Sequence, residues 1–430
     1  MVDAEFLTKK EVKMRFVRSC FALILTMGII FTSIPNLYAD ETSEVILRLL
    51  VKKGIISQSE VDEIKREVAR KEPIVPQGIE DRVAKLEKNT PKWVKDFKLK
   101  GDLRLRHETE INDPGKDNSH QRMRFRLGVT TKVNDQIDLG FGLATGGTTG
   151  SSAATSTNQT MDGSFGTKSF DLDYAYAKYK PYKGLYLIGG KFKSPFFHTD
   201  MLWDGDIRFE GFAAEASNKL DFAPSTKVAL RGGYFPMEDV SSSARDPHLL
   251  IAQIGSETKF NDDLKLKTGV AYYDFRSIEG STTATLTNTK GTNTYDGTVL
   301  RNDYRIVSPT IKVSVSKVGG VLGEFAKNTG APEGNEAWRA GAWFGKAKVK
   351  KKGQWKLLGQ YTHLEKDATV DIFPDGDLND AGTNAEGWEV IFDYGLADNL
   401  ILSFDYYNTT VIEGTQSDDQ MIQADLIFKF

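Results

Sequence analysis

The chain has 430 residues, 40% of them hydrophobic and 27% charged, and its 56 basic residues nearly balance 59 acidic ones. The formal net charge of −3 gives no electrostatic basis for binding nucleic acid. A single cysteine excludes a disulfide framework and a thiolate metal site.

Residues 1–39 have the pattern of a secretory signal peptide. Arg15 and Arg18 precede a mainly apolar run over 21–35, and Ala39 is the small residue before the expected cleavage point. A transmembrane anchor, the alternative, needs about 20 apolar residues, which is more than this run contains. The residues before Met14 do not resemble a signal n-region, so Met14 is an alternative start. Cleavage would also remove Cys20.

Residues 40–95 predict a short helical segment, which we expect in the periplasm. A capping box over 57–60 (Ser-Gln-Ser-Glu) opens one helix. Further along, Ile79, Val83 and Leu86 are spaced four and three residues apart among charged residues, which is typical of a two-heptad coiled coil. An ordinary surface helix is the alternative interpretation.

From residue 96 the hydrophobic period changes to two. Leu99, Leu103 and Leu105 share one face of a strand whose other face is charged, and the last strand, ending at Phe430, repeats this alternation. The pattern predicts about sixteen strands of about ten residues. They lie at 98–106, 122–129, 137–143, 170–176, 184–193, 206–216, 225–235, 247–258, 263–275, 304–315, 319–328, 337–350, 353–366, 386–394, 399–409 and 420–430.

The connections alternate between short turns and long polar loops. The long loops are expected at 109–119, 147–168, 194–205, 236–246, 276–303, 329–336, 367–385 and 410–419. A soluble sandwich has no reason to keep its long loops on one rim, whereas a membrane barrel does. Residues 96–430 therefore predict an all-β, transmembrane, up-and-down antiparallel β-barrel. An even number of strands would leave both chain ends in the periplasm.

The two faces of the strands predict lipid outside and water inside. We expect aromatic girdles from the apolar faces, which contain Tyr174, Tyr176, Tyr186, Trp388, Tyr394, Phe404 and Tyr406. The opposite faces carry charged residues such as Lys265, Lys267 and Lys312. Burying unpaired charges is costly, so the polar face indicates a hydrated channel.

Three features together resemble the bacterial putative-porin family of outer-membrane proteins. They are the helical prefix running into 91–106, the block from Gly189 to Pro195 continuing over 202–211, and the terminal Phe430. The resemblance covers essentially the whole mature chain. It implies a homotrimeric pore in the outer membrane of a Gram-negative-type bacterium, with lipid, small hydrophilic solutes and its own copies as partners.

Candidate pore-lining residues lie on the first strands and around the third long loop. The basic candidates are Arg104, Arg106, Arg122, Arg124, Arg126, Lys191, Lys193, Arg208 and Arg231, and the acidic ones are Asp200, Asp204, Asp206 and Glu210. If loop 194–205 folds inward, burying Phe196, Phe197 and Trp203, its carboxylates would face the arginines across the lumen. In the alternative interpretation the arginines pair with Asp102, Asp171, Asp173 and Glu210 to stabilise the wall.

One loop offers a weak calcium pattern, in which Asp375, Asp377, Asn379 and Glu386 match positions of an EF-hand loop. Position six is Asp380 where glycine is needed, so a solvated loop and no metal are the better prediction. No catalytic constellation or cofactor motif stands out, and we expect no enzyme activity. A barrel phospholipase would need a serine–histidine pair that no local motif identifies.

The function predicted from sequence is that of an outer-membrane porin, a passive channel for small hydrophilic solutes or ions with a slight preference for anions. A plugged structural or adhesive barrel without channel activity is the alternative.

Overall fold

Sixteen long antiparallel strands form one closed sheet in the computed structural model. The structure describes residues 48, 51–52, 57–70, 91–113, 117–146, 154–239, 246–282, 290–378, 382–415 and 418–430. The strands are β1 (Lys98–Asp113), β2 (Asn118–Lys132), β3 (Ile137–Thr145), β4 (Phe170–Tyr182), β5 (Leu185–Lys193), β6 (Arg208–Leu220), β7 (Ala223–Pro236), β8 (His248–Lys259), β9 (Leu264–Arg276), β10 (Tyr304–Val315), β11 (Gly319–Asn328), β12 (Glu336–Gly345), β13 (Trp355–Leu364), β14 (Ala385–Ala397), β15 (Leu400–Val411) and β16 (Asp418–Lys429). Each pairs with the next in sequence, which confirms the predicted barrel.

The first and last strands close the barrel. Twelve residue pairs join β1 to β16, from Asp102 opposite Lys429 to Asp113 opposite Asp418. The terminal Phe430 extends this seam, because its backbone N and O both bond to Gly101, at 3.1 and 2.9 Å. A Cβ at position 101 would lie 2.5 Å from the Phe430 ring, so the absence of a side chain there allows the ring to pack.

Short turns lie at one end of the barrel and long loops at the other. Several strands extend beyond their predicted bounds, among them β4, which was predicted to end at residue 176 and runs to Tyr182. Two further differences have a clear physical reason. The loop predicted at 109–119 is much shorter, because β1 and β2 continue to Asp113 and from Asn118 as a ladder of mainly polar residues that carries no apolar alternation. The strand predicted at 337–350 ends at Gly345, whose φ of 81° lies in the left-handed region.

Side chains alternate between two different environments, as β9 shows. Val270 and Tyr272 are 47% and 40% exposed on the outer surface, whereas Ala271 and Tyr273 are each 1% exposed on the inner face. Large apolar side chains are exposed in the same way on strands all around the barrel. A continuous apolar outer surface suits contact with lipid.

The predicted aromatic girdle is only partly correct. Trp388 and Tyr394 are exposed on the outer surface. Tyr174 and Tyr176 instead lie on the inner face, because their rings cover the Cα positions of the inner-face residues Gly128, Gly140 and Gly142. Tyr186 also faces inward, beneath the Nζ of Lys178 at 3.5 Å from the ring centroid. An aromatic residue in a strand can point to either face of the barrel. Here the register places Tyr174 and Tyr176 on the inner face, where neighbouring glycines leave room for their rings.

An apolar core fills part of the interior at the long-loop end. It combines buried side chains from the inner faces of β5 to β14 with residues of the long loops. Phe192, Phe209, Phe235, Tyr273, Phe275 and Tyr304 come from the strands, and Phe196, Met201, Leu202, Trp203, Val370 and Leu378 come from loops 194–207 and 365–384. The interior is therefore not uniformly polar.

The chain divides into two units, residues 1–89 and residues 90–430. In the first unit, helix α1 (Gln58–Arg70) begins with the predicted capping box, in which Ser57 N donates to Glu60 at 2.7 Å and Glu60 N donates to Ser57 Oγ at 3.3 Å. A short helix, α2 (Lys92–Lys95), precedes β1. The signal segment and the coiled-coil residues 79–86 lie outside the described residues. No described helix has the length and hydropathy of a membrane span.

Candidate pore constriction

Five arginines form a ladder on the inner face of β1 and β2. The register places Arg104 opposite Arg124 and Arg106 opposite Arg122, while Arg126 lies opposite Asp102. Like charges directly opposite each other in a sheet are destabilising unless other groups compensate them. The ladder therefore depends on carboxylates supplied from elsewhere.

The barrel wall supplies three of these carboxylates. Asp425 on β16 accepts two hydrogen bonds from Arg106, at 2.7 and 2.8 Å, across the seam that closes the barrel. Glu108 accepts from Arg122 at 2.7 Å. Asp102 accepts from Arg124 at 2.8 Å and from Arg126 at 2.9 Å. Of the partners named in the alternative interpretation, Asp102 contacts this ladder and Asp173 pairs with Arg208.

Loop 194–207 supplies a fourth carboxylate. Asp206 lies 2.9 Å from Arg126 and 3.7 Å from Arg124. This carboxylate is in direct contact with the ladder and does not face it across an open gap. Burial raises the pKa of Asp206, but the two guanidinium groups outweigh this effect and hold the pKa below its ordinary value. Asp206 therefore stays ionised and fixes one end of the loop to the arginine wall.

The tip of the same loop reaches the other side of the interior. Thr199 donates from its backbone N and its Oγ1 to Oε2 of Glu324 on β11, both at 2.6 Å. Ser308 and Thr310 on β10 donate to the other carboxylate oxygen at 2.8 and 3.3 Å. Strand β5, where the loop begins, is six strands from β11, so the loop crosses the barrel interior. Glu324 was not among the residues identified from sequence.

Aromatic packing holds the loop against the wall. The Trp203 ring lies 4.8 Å from Phe209 and 5.6 Å from Tyr273, both on strands. Phe196 is buried with them, whereas Phe197 is half-buried and donates from its backbone N to Gln253 at 2.9 Å. The hydrophobic composition of this loop was the sequence signal for its inward course.

A second long loop, 365–384, also enters the interior, and sequence reasoning did not identify it. The backbone N of Asp204 donates to Phe373 O at 2.8 Å, and Asp375 N donates to Asp200 O at 3.0 Å. The Asp204 carboxylate accepts from Gly376 N at 3.1 Å. The Trp203 and Phe373 rings lie 4.7 Å apart. The two loops are thus joined by backbone bonds, a carboxylate and aromatic contact.

Buried acids lie at the junction of the two loops. Burial, followed by the neighbouring Asp206 carboxylate, raises the pKa of Asp204 to about 8. Burial and the nearby Glu389 raise the pKa of Asp375 well above its ordinary value, although Arg339 opposes this. Arg339 lies 3.5 Å from Asp375 and is 2% exposed. The junction therefore holds more carboxylates than cations can neutralise.

Loop 365–384 is also tied to the loop between β9 and β10. Asp367 accepts hydrogen bonds from Thr294 N at 2.9 Å, Asn302 Nδ2 at 3.0 Å and the Tyr304 hydroxyl at 2.9 Å. Asn293 Nδ2 donates to the carbonyls of residues 366 and 369. These contacts make the three long loops one connected structure at the long-loop end.

Two inner-face lysines differ from the arginines because neither forms an ion pair among the described residues. Glu257 lies opposite Lys267 in the sheet, but it pairs with Lys265. Lys267 and Lys312 lie opposite each other on β9 and β10. Lys267 Nζ lies 4.0 Å from the Phe197 ring centroid and Lys312 Nζ lies 4.8 Å from that of Trp343. Within the described part of the chain, neither has a carboxylate at ion-pair distance. Sequence analysis noted both on the polar face but could not separate paired from unpaired lysines.

The remaining candidates lie apart from the arginine ladder. Lys191 and Glu210, opposite each other on β5 and β6, form an ion pair with one another. Arg208 pairs with Asp173 on β4 at 3.0 Å. Lys193 on β5 lies opposite Arg208 on β6. Arg231 pairs with Glu215 at 2.7 Å and reaches Gln253 at 3.2 Å. Asp200 is exposed at the loop tip.

The residues of the calcium pattern have separate partners. Asp375 contacts Arg339, Asp377 lies 3.6 Å from Arg106, and Glu386 accepts from His363 at 2.6 Å on the wall. Asn379 lies outside the described residues. Asp375 is only 7% exposed, so the interpretation of this stretch as a solvated loop is wrong. No group of three or more potential metal ligands occurs among the residues that the structure describes.

Three solved bacterial proteins that match this chain have TM-scores below 0.5. Salmonella typhi OmpF, solved with daunomycin, is 12% identical over 78% of this chain and 97% of its own, with a TM-score of 0.49. Pseudomonas putida OprB is 10% identical over 82% and 97%, with a TM-score of 0.49. Pseudomonas aeruginosa OccK2 is 14% identical over 78% and 98%, with a TM-score of 0.42.

No curated protein matches the chain. A family model described as "Putative porin" matches residues 111–311 and 313–430. These ranges include most of the barrel, from β1 to the terminal residue. The protein therefore belongs to the putative porin family, whose members are porin-like channels of the bacterial outer membrane.

Proposed function

We propose that this protein lets small hydrophilic solutes and ions diffuse passively across the outer membrane, with a slight preference for anions. The observation that carries the preference is the lysine pair formed by Lys267 and Lys312 on the inner face. The arginine ladder contributes less net charge, because carboxylates compensate it. Unpaired cations lining an aqueous pore lower the free energy of a passing anion.

A hydrated path is supported by the charged side chains near the short-turn end of the inner face. Lys265 pairs with Glu257 at 2.6 Å, and both are more than a third exposed. Lys356 and Asp393 lie 4.0 Å apart and are partly exposed. Such groups would be costly to enclose without water. Selectivity would arise where loops 194–207 and 365–384 narrow this path.

We also propose a homotrimer with the long-loop end facing outward and both chain ends in the periplasm. The signal sequence and the even number of strands support the orientation. The resemblance to the family supports the trimer. Neither proposal involves catalysis.

Recording single channels in planar bilayers with a salt gradient tests this function. We expect stepwise conductance and a reversal potential displaced modestly toward the anion equilibrium potential. A reconstituted, folded barrel with no conductance steps would overturn the channel. A reversal potential on the cation side would overturn the anion preference alone.

A plugged structural barrel is the second candidate, and the interlocked loops favour it. Loops 194–207, 277–303 and 365–384 share hydrogen bonds and an apolar core at the long-loop end. If this assembly closes the lumen, reconstituted barrels would remain silent at all voltages. Variants that release loop 194–207 would then conduct, which distinguishes a plugged barrel from a misfolded one.

A further inference from the structure

A cavity of about 450 Å³ opens at the long-loop end, beside the junction of the two inward loops. Its apolar lining includes Trp203, Phe209, Phe235 and Phe373. The Trp203 ring centroid lies 4.7 Å from that of Phe373 and 4.8 Å from that of Phe209, which in turn lies 4.9 Å from that of Phe235. The four rings are therefore in continuous contact. Binding sites for small molecules are commonly concave, largely apolar and furnished with a few polar groups.

The charged lining of this cavity is mainly acidic. Five carboxylates line it, against two cations. The carboxylates belong to Asp171, Asp173, Asp206, Glu210 and Glu238, and the cations to Lys191 and Arg208. The two cations are already engaged, since Lys191 pairs with Glu210 and Arg208 with Asp173. A bound anion would find no available cation in this lining.

Asp171 is the acidic group best placed to meet a ligand. It lies at the start of β4, opposite Ala144, and is exposed. No hydrogen bond or ion pair reaches its carboxylate from any residue that the structure describes. An exposed carboxylate that lines the same cavity as aromatic rings complements a cation, which also gains from the negative ring faces.

We propose that this cavity binds organic cations that carry an apolar ring. The inference deepens the proposed function, because the cavity lies at the entrance to the same channel. The aromatic floor takes the ring, and the acidic rim near Asp171 takes the ammonium group. Inorganic ions lack the apolar group that such a floor recognises. Occupancy would narrow the entrance and reduce ion current.

Three probes with the same ring separate the contributions of charge and ring. Benzylammonium, benzyl alcohol and benzoate are added to single channels from the long-loop side, and the concentration for half-block is measured. We expect benzylammonium to block at the lowest concentration and benzoate at the highest. Equal block by all three probes, or stronger block by benzoate, would overturn the proposal.

Two variants locate the block. Asp171→Asn and Phe373→Ala should each raise the half-block concentration of benzylammonium by about two- to fivefold. Asp162→Asn removes the same charge from a residue of the same barrel end that does not line the cavity, and it should leave block unchanged. Block that is unaffected by both cavity variants would overturn the assignment.

Calorimetric titration of the detergent-solubilised full-length protein provides a readout that does not depend on conduction. Benzylammonium binding that weakens in Asp171→Asn supports cation binding in the cavity, even if the barrel does not conduct. In that case only the proposed channel function fails. Normal conductance without block, and without heat of binding, leaves the channel intact and refutes the cavity proposal.

Discussion

Thr199 and Glu324 fasten loop 194–207 across the barrel, with the backbone N and Oγ1 of Thr199 both 2.6 Å from one carboxylate oxygen. Glu324 is 3% exposed and receives four hydrogen bonds in total. These bonds anchor the tip of the loop to β11, on the far side of the barrel from the strand where the loop begins.

Substituting Glu324→Gln should loosen this anchor. The amide provides one acceptor oxygen where the carboxylate has two, and hydrogen bonds to a charged group contribute about 1.5–3 kcal/mol each. We expect larger conductance and more frequent current fluctuations in single-channel records. Glu257→Gln, which removes a lumen carboxylate that contacts Lys265 and not the loop, is the control. Identical records for both variants would contradict the anchoring role.

Replacing both lysines, Lys267→Gln with Lys312→Gln, should abolish the anion preference. Two unit charges about 8 Å from a passing ion in water contribute about 1 kcal/mol together, which changes the permeability ratio about fivefold. The measurement is the reversal potential in a salt gradient. Lys180→Gln, which removes a lysine already paired with Asp138, serves as the control. A double variant that shifts no more than this control would remove the pair from the selectivity site.

Neutralising Arg122, Arg124 and Arg126 together should shift the reversal potential toward cations. The change would leave Glu108 and Asp102 without these partners and would release Asp206 from the wall. The released loop should also alter conductance, so both quantities are recorded. An unchanged reversal potential would exclude the ladder from ion selection and would assign it to wall stability alone.

The contact between the two inward loops should weaken as pH rises. Asp204 has a pKa of about 8 in the folded protein against an ordinary value of 3.8, so the folded state retains a proton that an opened loop loses. The stability of the contact is therefore full below about pH 4 and declines until about pH 8. Deprotonation adds charge beside Asp200, Asp206 and Asp375.

As the loop contact weakens with rising pH, conductance measured from pH 5 to pH 9 should increase. Asp204→Asn cannot ionise and should flatten the profile, whereas Asp296→Asn, at an exposed loop position, should keep it. A profile that is the same in both variants would show that Asp204 does not control the contact.

Asp425→Asn should destabilise the closed barrel. The carboxylate binds Arg106 across the seam between β1 and β16, and both residues are 6% exposed. Removing one partner of a buried ion pair costs about 3–5 kcal/mol. Thermal unfolding followed by circular dichroism in detergent measures the loss. Asp393→Asn affects a longer, more exposed pair with Lys356, and an equally large loss there would contradict the special role of the seam.

Strand number and order could be predicted because alternation is a local property. Each strand of the barrel places successive residues on opposite faces, so apolar and polar sets separate within about ten residues of sequence. Predicted strand boundaries were wrong where this signal ends. Beyond Glu108, polar residues continue the pairing of β1 with β2 without apolar alternation. At Gly345, the backbone conformation ends the strand.

The constriction could be predicted only in part. The arginine ladder follows from alternation, and the hydrophobic composition of loop 194–207 indicated its inward course. The entry of loop 365–384 carries no such signal. Its residues indicate a solvated loop until folding brings Arg339 beside Asp375 and Asp204 beside Gly376.

The sequence by itself determined a closed, amphipathic, sixteen-stranded barrel, because the two-residue repeat and the alternation of loop lengths are encoded along the chain. The tertiary structure alone decided which charges are compensated. Asp425 neutralises Arg106 from a position 319 residues away, whereas neither Lys267 nor Lys312 forms an ion pair in the described part of the chain. Net charge at a point in the lumen depends on distances across the barrel, and local residue patterns do not contain those distances.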